Sequence, residues 1–383
     1  MPYQDLVFVP QVGFMPARAL GTRENVVVDR GRQSFIGSVF PDRDGIRVMF
    51  TLNGINEDVP VPAENVCPLP IRATARVADD RGRDVPSRAR WITGPMLRRA
   101  GPGEATLQWT LVLEAPEPDA RALMLTFDGP AGEWQVAMPL APIEATGTPA
   151  RTFDAANTRH GITVAARALA KSSDRTVVEL EAYIDPPSTE TGPARRYVLG
   201  LGASMHGSRV SGDEIFLRDD LGERKPEMGR AFTVPTGGKQ REAVSFGPVS
   251  DGARTATVEI GAIWVQEGYG EKITLPIPSE AQILAAGCRA TAVVTHAEDA
   301  YKKPAVKVEL VPKTEDVDRR LVFMQGVELA SGRQVGMQIT HCVGKLPVVT
   351  VPDPTAQAAE VTLSGPVVEI RGPWKVSVPL DPL

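Results

Sequence analysis

The sequence predicts an all-β protein made of three tandem immunoglobulin-like β-sandwich domains. Three observations lead there. Short runs alternate apolar and other residues, the pattern of half-buried strands. Glycine (35) and proline (34) are abundant among 383 residues without a collagen period, and so punctuate many turns. A strand pattern also recurs. Gly132-Glu-Trp-Gln-Val-Ala-Met-Pro-Leu140 matches Arg371-Gly-Pro-Trp-Lys-Val-Ser-Val-Pro-Leu380, and Gly270-Glu-Lys-Ile-Thr-Leu-Pro-Ile277 is a degraded copy. Each has a glycine turn, alternating large residues and a proline that stops the strand. Read as closing strands, the three copies divide the chain into 1–145, 146–278 and 279–383, with the first segment carrying an N-terminal extension.

In order, Val7-Phe8-Val9 reads as a short strand within that extension. Ser34–Phe40 and Ile46–Leu52 flank the turn Pro41-Asp-Arg-Asp-Gly45. Ile71–Val77 alternates and runs into the turn at Asp79-Asp80-Arg-Gly82. Gln108–Glu114, Leu123–Phe127 and the Trp134 strand complete the first unit. The second unit repeats the plan. Gly161–Leu169 and Thr176–Ile184 flank Ser172–Arg175, Ile215–Leu217 leads into Asp219-Asp220-Leu-Gly222, and Ala256–Val265 follows. In the third unit, Arg289–Thr295, Ala305–Val311, Arg320–Met324 and Gln334–Thr340 read as strands. Ala115-Pro-Glu-Pro-Asp-Ala-Arg-Ala122 also matches Val351-Pro-Asp-Pro-Thr-Ala-Gln-Ala358, each just before a strand. Ser279–Ala286 is the best helix candidate, with a serine cap at its start.

The closing strands predict which side chains face inward, because strand side chains alternate. Trp374, Val376 and Val378 share one face, as do Trp134, Val136 and Met138, each set in the core of its own domain. Lys272 takes the tryptophan position in the degraded copy, so Ile273 and Leu275 face inward there. Trp109 and Trp264 are expected in cores as well.

The middle unit's Ile-Thr-Val opening strand, Ser-Asp-Arg-Thr-Val-Val return, Asp-Asp-x-Gly turn and proline-ended closing strand resemble the immunoglobulin-like domain in the extracellular part of some membrane-bound bacterial anti-sigma factors. The resemblance is best over 161–278. It implies a sandwich fold and a ligand- or protein-binding role. It does not imply sigma regulation, since no membrane helix or sigma-binding segment accompanies it.

Chemistry is sparse in the sequence. Ser204 and His206 lie in Gly202-Ala-Ser-Met-His206, which lacks the final glycine and the helix of a nucleophile elbow. Gly200-Leu-Gly202 and Gly237-Gly-Lys239 complete neither a dinucleotide fingerprint nor a phosphate loop. The four histidines have no metal-ligand spacing. The pairs Asp79/Asp80 and Asp219/Asp220 could hold calcium only if more oxygens converged on them, and adjacent aspartates in such turns ordinarily bind their own backbone. Cys67, Cys288 and Cys342 form no CxxC and are odd in number, which argues against a disulfide scaffold or a zinc site. A net charge of −5 argues against nucleic acid. With no signal peptide and no apolar run long enough to span a membrane, the expected location is cytoplasmic. Trp91 reads first as a core residue, since most tryptophans are largely buried; exposed in a loop, it forms with Arg98 and Arg99 the candidate partner-binding cluster, since tryptophan and arginine are common interface anchors. The expected function is a non-enzymatic, multi-domain protein-binding or scaffold protein without a cofactor. The alternatives are a ligand- or peptide-sensing module and a hydrolase whose site is not legible.

Overall fold

A computed structural model describes the chain apart from residues 1–4, 11, 57–68, 71–73, 88–95, 102–103, 130–131, 185–195, 203, 206–207, 210–214, 233–238, 269, 299–301, 303, 314–317, 330–337, 344–345, 354–356 and 381–383. Every regular element among the described residues is a β-strand, and every strand pairing among them is antiparallel. The segment read as a helix is strand Ser279–Ala285, which pairs with Cys288–Glu298. Its helix-forming residues are overruled by a hairpin turn. Ala286 and Gly287 both adopt positive φ (51° and 74°), as a tight two-residue turn between twisted strands requires. Ile283 and Ala285 then point into the core, and Glu280, Gln282 and Leu284 point outward.

The N-terminal lobe holds one core between two sheets. Strands Val26–Arg30, Gln33–Asp42, Gly45–Asn56, Glu104–Glu114, Met96–Gly101 and Leu69–Pro70 form one sheet in that order, and Gly132–Pro139, Ala122–Gly129 and Thr74–Asp79 form the other. Phe35, Phe50, Phe127 and Trp134 meet in the middle, with Trp109 half-buried against them. The inward register predicted for Trp134, Val136 and Met138 is present.

The middle lobe repeats this wiring. Thr148–Arg159, Ile162–Lys171, Thr176–Ile184, Gln240–Phe246 and Arg224–Phe232 lie side by side, and Ile215–Asp219 pairs with Thr255–Gln266. The order of these strands matches the N-terminal lobe, except that Ile215–Asp219 also pairs with Arg224–Phe232 and so joins the two sheets. The closing strand differs in origin. Residues 367–379 of the 20-residue strand Glu360–Pro379 pair with Thr255–Gln266, with Ile260 opposite Trp374 and Thr255 opposite Pro379. Trp374 is fully buried, and its indole N–H donates to the Ile162 carbonyl at 3.2 Å. The expectation that Trp374 closes its own, third unit is therefore corrected. The strand passes out of that unit and closes the middle one.

The degraded copy makes the opposite journey. Lys272–Pro276 pairs with the first half of the same long strand, Lys272 opposite Ser364 and Pro276 opposite Glu360. Arg319–Leu329 lies on the other edge of that half. Ile273 and Leu275 face inward and Lys272 outward, as the spacing predicts. The remainder of the C-terminal lobe is a five-stranded sheet of Ser279–Ala285, Cys288–Glu298, Pro304–Pro312, Leu346–Pro352 and Gln338–Val343. One apolar cluster runs from Ile162 and Val244 in the middle lobe to Val294 and Val308 in the C-terminal lobe. Two antiparallel runs, 255–276 and 379–360, thus cross the 278/279 boundary read from the sequence.

The N-terminal lobe is also an excursion from the middle. Leu6–Val9 pairs with Thr148–Arg159, so the N-terminal extension joins the middle lobe's sheet, where Leu6, Phe8 and Phe14 cover Ala168, Ala170 and Val177. Arg18–Gly21 pairs with Ala141–Glu144 and forms the neck of that lobe. The turn after Gln33–Asp42 rests on the middle sheet. Arg43 pairs with the buried Glu179 at 3.1 Å, and Asp44 pairs with Arg241.

Candidate functional site

Two Asp-Asp-x-Gly turns close equivalent corners of the N-terminal and middle lobes. Asp79 accepts the N–H groups of Arg81 and Arg83, each at 2.9 Å, and the Arg83 guanidinium at 2.6 Å. Asp219 accepts the Glu223 N–H at 2.9 Å and both the N–H (3.1 Å) and hydroxyl (2.6 Å) of Ser250. The second aspartates clamp the start of the neighbouring strand: Asp80 accepts the Arg121 N–H, and Asp220 those of Arg254 and Thr255. Gly82 and Gly222 take φ of 81° and 93°, which an L side chain would strain. Burial works against ionisation of Asp79 and Asp219. The donors converging on each outweigh it and hold both carboxyls below the usual range. These carboxylates are occupied by their own turns. Among the described residues, no group of three or more histidine, cysteine, aspartate or glutamate side chains could hold a metal ion.

A charged cluster lies where the N-terminal lobe's turn meets the middle sheet. Glu181 receives Arg241 at 2.8 Å, Arg167 at 3.0 Å and Lys239 at 3.1 Å. Burial raises its pKa, but Arg241 and Lys239 prevail and bring it to about 2. For neighbouring Glu179, burial prevails over Arg241 and Arg43, and its pKa rises. Glu242, buried beside Arg230 at 3.0 Å, is likewise raised by burial. Glu242 and Arg230 lie on the opposite, core face of the sheet; on the outer face the pairs Arg43–Glu179 and Asp44–Arg241 fasten the two lobes together.

At the joint between the middle and C-terminal lobes, Trp264 packs against Phe323 and donates to Glu369, which also pairs with Arg320 at 2.8 Å. The Tyr197 hydroxyl donates to Gln266 Oε1 at 2.9 Å and lies 3.3 Å from Gln325 Oε1. Gln266 is fully buried, and its amide nitrogen has no hydrogen-bond partner among the described residues.

The surface best suited to an outside partner is the outer face of the N-terminal lobe's large sheet. Alternation sends Phe35, Val39, Val48 and Phe50 inward, and Ile36, Ser38, Phe40, Met49 and Thr51 outward. Phe40 and Met49 are each 47% exposed, and Val27 and Ile36 extend the apolar surface. A shallow depression of about 320 Å³ runs across three strands, past Ser38, Thr51, Gln108 and Thr110. The Ser38 hydroxyl is engaged by Asn25, whereas Thr51, Gln108 and Thr110 make no side-chain hydrogen bond among the described residues. None of the depression's lining residues is charged. Alternation in 33–42 and 45–56 could have revealed this face, because Phe40 and Met49 stand at positions that ordinarily carry polar residues.

Of the predicted partner-binding residues, Trp91 lies outside the described residues. Arg98 and Arg99 fall in strand Met96–Gly101, opposite Thr106 and Ala105. Ser204 sits in a two-stranded hairpin of Ser204–Met205 with Ser208–Arg209, and His206 lies outside the described residues. Cys288 is buried in its strand, and Cys67 lies outside the described residues. No helix of the described residues is long and apolar enough to cross a membrane.

No family model matches this chain, and no curated protein matches it. Among solved structures, it is similar to the conserved domain protein from Bacillus anthracis, at 12% identity and a TM-score of 0.31, over 67% of this chain and 81% of that one. A likeness that loose bears on neither fold nor function.

Proposed function

We propose that this chain is a non-enzymatic binding protein: three immunoglobulin-like sandwiches that present the outer face of the first sheet to a protein partner. The observation that carries this reading is the face around Phe40 and Met49. Interface centres are depleted in charge and enriched in aromatic residues and methionine, with neutral hydrogen-bonding groups among them. Ile36, Phe40 and Met49 supply the apolar part, and Thr51, Gln108 and Thr110 the unengaged polar part. An open depression spread across three strands suits one or two anchoring side chains of a partner. The ion pairs of Glu179 and Arg241 with the N-terminal lobe's turn favour a fixed presentation of that face.

The test is affinity capture from the native source with the wild-type chain, Phe40→Asp/Met49→Asp, and Leu221→Asp, which changes another exposed apolar residue. One stoichiometric protein held by wild type and by Leu221→Asp, and lost with the double variant, is the expected result. Equal capture by all three, or turnover of a substrate by the purified chain, overturns the reading.

A second reading, ligand sensing of the kind the anti-sigma resemblance implies, is favoured by the unpartnered Gln266 amide at the joint between lobes. It predicts that a small polar ligand raises the melting temperature of wild type and not of Gln266→Leu.

A further inference from the structure

The N-terminal lobe shows what the middle lobe's closing turn looks like when it is short. There, Ala122–Gly129 turns directly into Gly132–Pro139, with Gly129 opposite Gly132. In the middle lobe the equivalent strands are Thr255–Gln266 and residues 371–379, and the whole C-terminal lobe stands between them. The two junctions agree in detail elsewhere. Leu140 donates to Arg121 at 2.8 Å, and Leu380 donates to Arg254 at 2.7 Å.

We infer that the C-terminal lobe is a folded turn of the middle lobe, and that its folding state sets how tightly the middle lobe stays closed. While it is folded, Lys272–Pro276 and residues 360–364 hold each other in register. Thr255–Gln266 and the Trp374 strand then emerge already aligned, as from a hairpin. When it unfolds, the same two strands are joined by a flexible loop of roughly 100 residues. Loop closure costs about 0.6 kcal/mol per doubling of length, and a two-residue turn grows by between five and six doublings to reach that size. From loop length alone the opening equilibrium of the Trp374 strand therefore rises by about a hundredfold or more, in addition to what is lost with the contacts of Trp264 and residues 367–370 to Arg319–Leu329. The effect is reciprocal: whatever stabilises the C-terminal lobe tightens the middle one, and closing the middle lobe favours the folded C-terminal lobe.

The test is hydrogen exchange on the full chain, read peptide by peptide. Val308→Asp places an unpaired charge in the C-terminal lobe's core and unfolds that lobe. Val308→Ala weakens it while leaving it folded. With Val308→Asp, amides of 256–260 are expected to exchange about a hundredfold faster or more, yet still far slower than an unstructured chain, while 122–129 keeps its wild-type rate. With Val308→Ala, 256–260 is expected to stay at its wild-type rate. Unchanged protection of 256–260 in Val308→Asp would show the lobes to be independent. Complete loss of protection there, or loosening already in Val308→Ala, would show one shared core rather than a turn. Any of these results overturns the inference.

Discussion

In the N-terminal lobe Trp134 lies opposite Phe127, just across a hairpin; in the middle lobe Trp374 lies opposite Ile260, more than a hundred residues earlier in the chain. The local setting is otherwise shared. Both strands end beside a corner clamped by an Asp-Asp-x-Gly turn, and both tryptophans are buried. The two lobes therefore have similar contacts but different chain connectivity. Local pairings form early, whereas long-range ones wait on everything between. The N-terminal lobe can close by itself, while the middle lobe closes last.

The largest effect that would break this comparison comes from Trp374→Ala. Removing a fully buried tryptophan costs about 3–5 kcal/mol. Loss of protection is expected in Ile162–Lys171 and Thr255–Gln266 of the middle lobe, while Cys288–Glu298 stays protected. Trp134→Ala should cost a similar amount but confine its effect to the N-terminal lobe. If Trp374→Ala instead loosened Cys288–Glu298 first, the strand would belong to the C-terminal lobe after all.

Acid sharpens the comparison at the other joint. Glu181 has a folded pKa of about 2, below the ordinary 4.3 or so of an unfolded glutamate. Its contribution, on the order of 2–3 kcal/mol, is thus fully present above about pH 5 and fades as pH falls toward 2. Glu179 and Glu242, raised by burial, act in the opposite sense, favouring the fold as they take up protons. Glu181→Gln should therefore flatten the acid limb of a stability–pH curve measured by denaturant melts. An unchanged limb would remove Glu181 from the account.

Smaller effects compare the two corners. Asp219 is buried and accepts three bonds. An asparagine amide would turn a donor toward donors, so Asp219→Asn should cost about 1–3 kcal/mol. Calcium should not alter the melting temperature of wild type or variant, and a rise with wild type alone would restore the metal reading. Smallest of all, Lys272→Ala is expected within about 0.5 kcal/mol, since that side chain is exposed.

Much of this was legible in the residues. Alternation placed most strands, and the Asp-Asp-x-Gly turns and the inward faces of Trp134 and Trp374 followed from spacing alone. What the sequence hid is where a strand goes after it ends. Gly372-Pro373 reads as a turn, yet the strand continues through it with a bulge in its pairing. A Cβ at Gly372 would meet the Ile260 carbonyl and lie 2.7 Å from the Trp374 ring, so glycine serves close strand approach there rather than reversal. Pattern matching aligns Trp374 with Trp134 correctly but cannot say which lobe supplies the partner strand. Ser279–Ala285 was misread for a related reason: its composition suits a helix, and only pairing with Cys288–Glu298 makes it a strand. The exposed Phe40 and Met49 face was visible in the alternation but is outweighed, at sequence level, by the conspicuous Trp91 and its arginines.

The two necks carry a mechanical consequence. Leu6–Val9 and the Trp374 strand are both stitched into the middle lobe. Tension applied between Leu6 and Leu380 would run through that lobe alone. The N-terminal and C-terminal lobes lie off the load path and would feel no pull until one of those strands tore free. The strand at Leu6–Val9 is held by pairing over only a few residues, whereas the Trp374 strand is held along both its length and its buried indole. Under a slow stretch the first rupture is therefore expected at Leu6–Val9, after which the load passes to the pairing of Arg18–Gly21 with Ala141–Glu144, and the N-terminal lobe yields only once that neck parts.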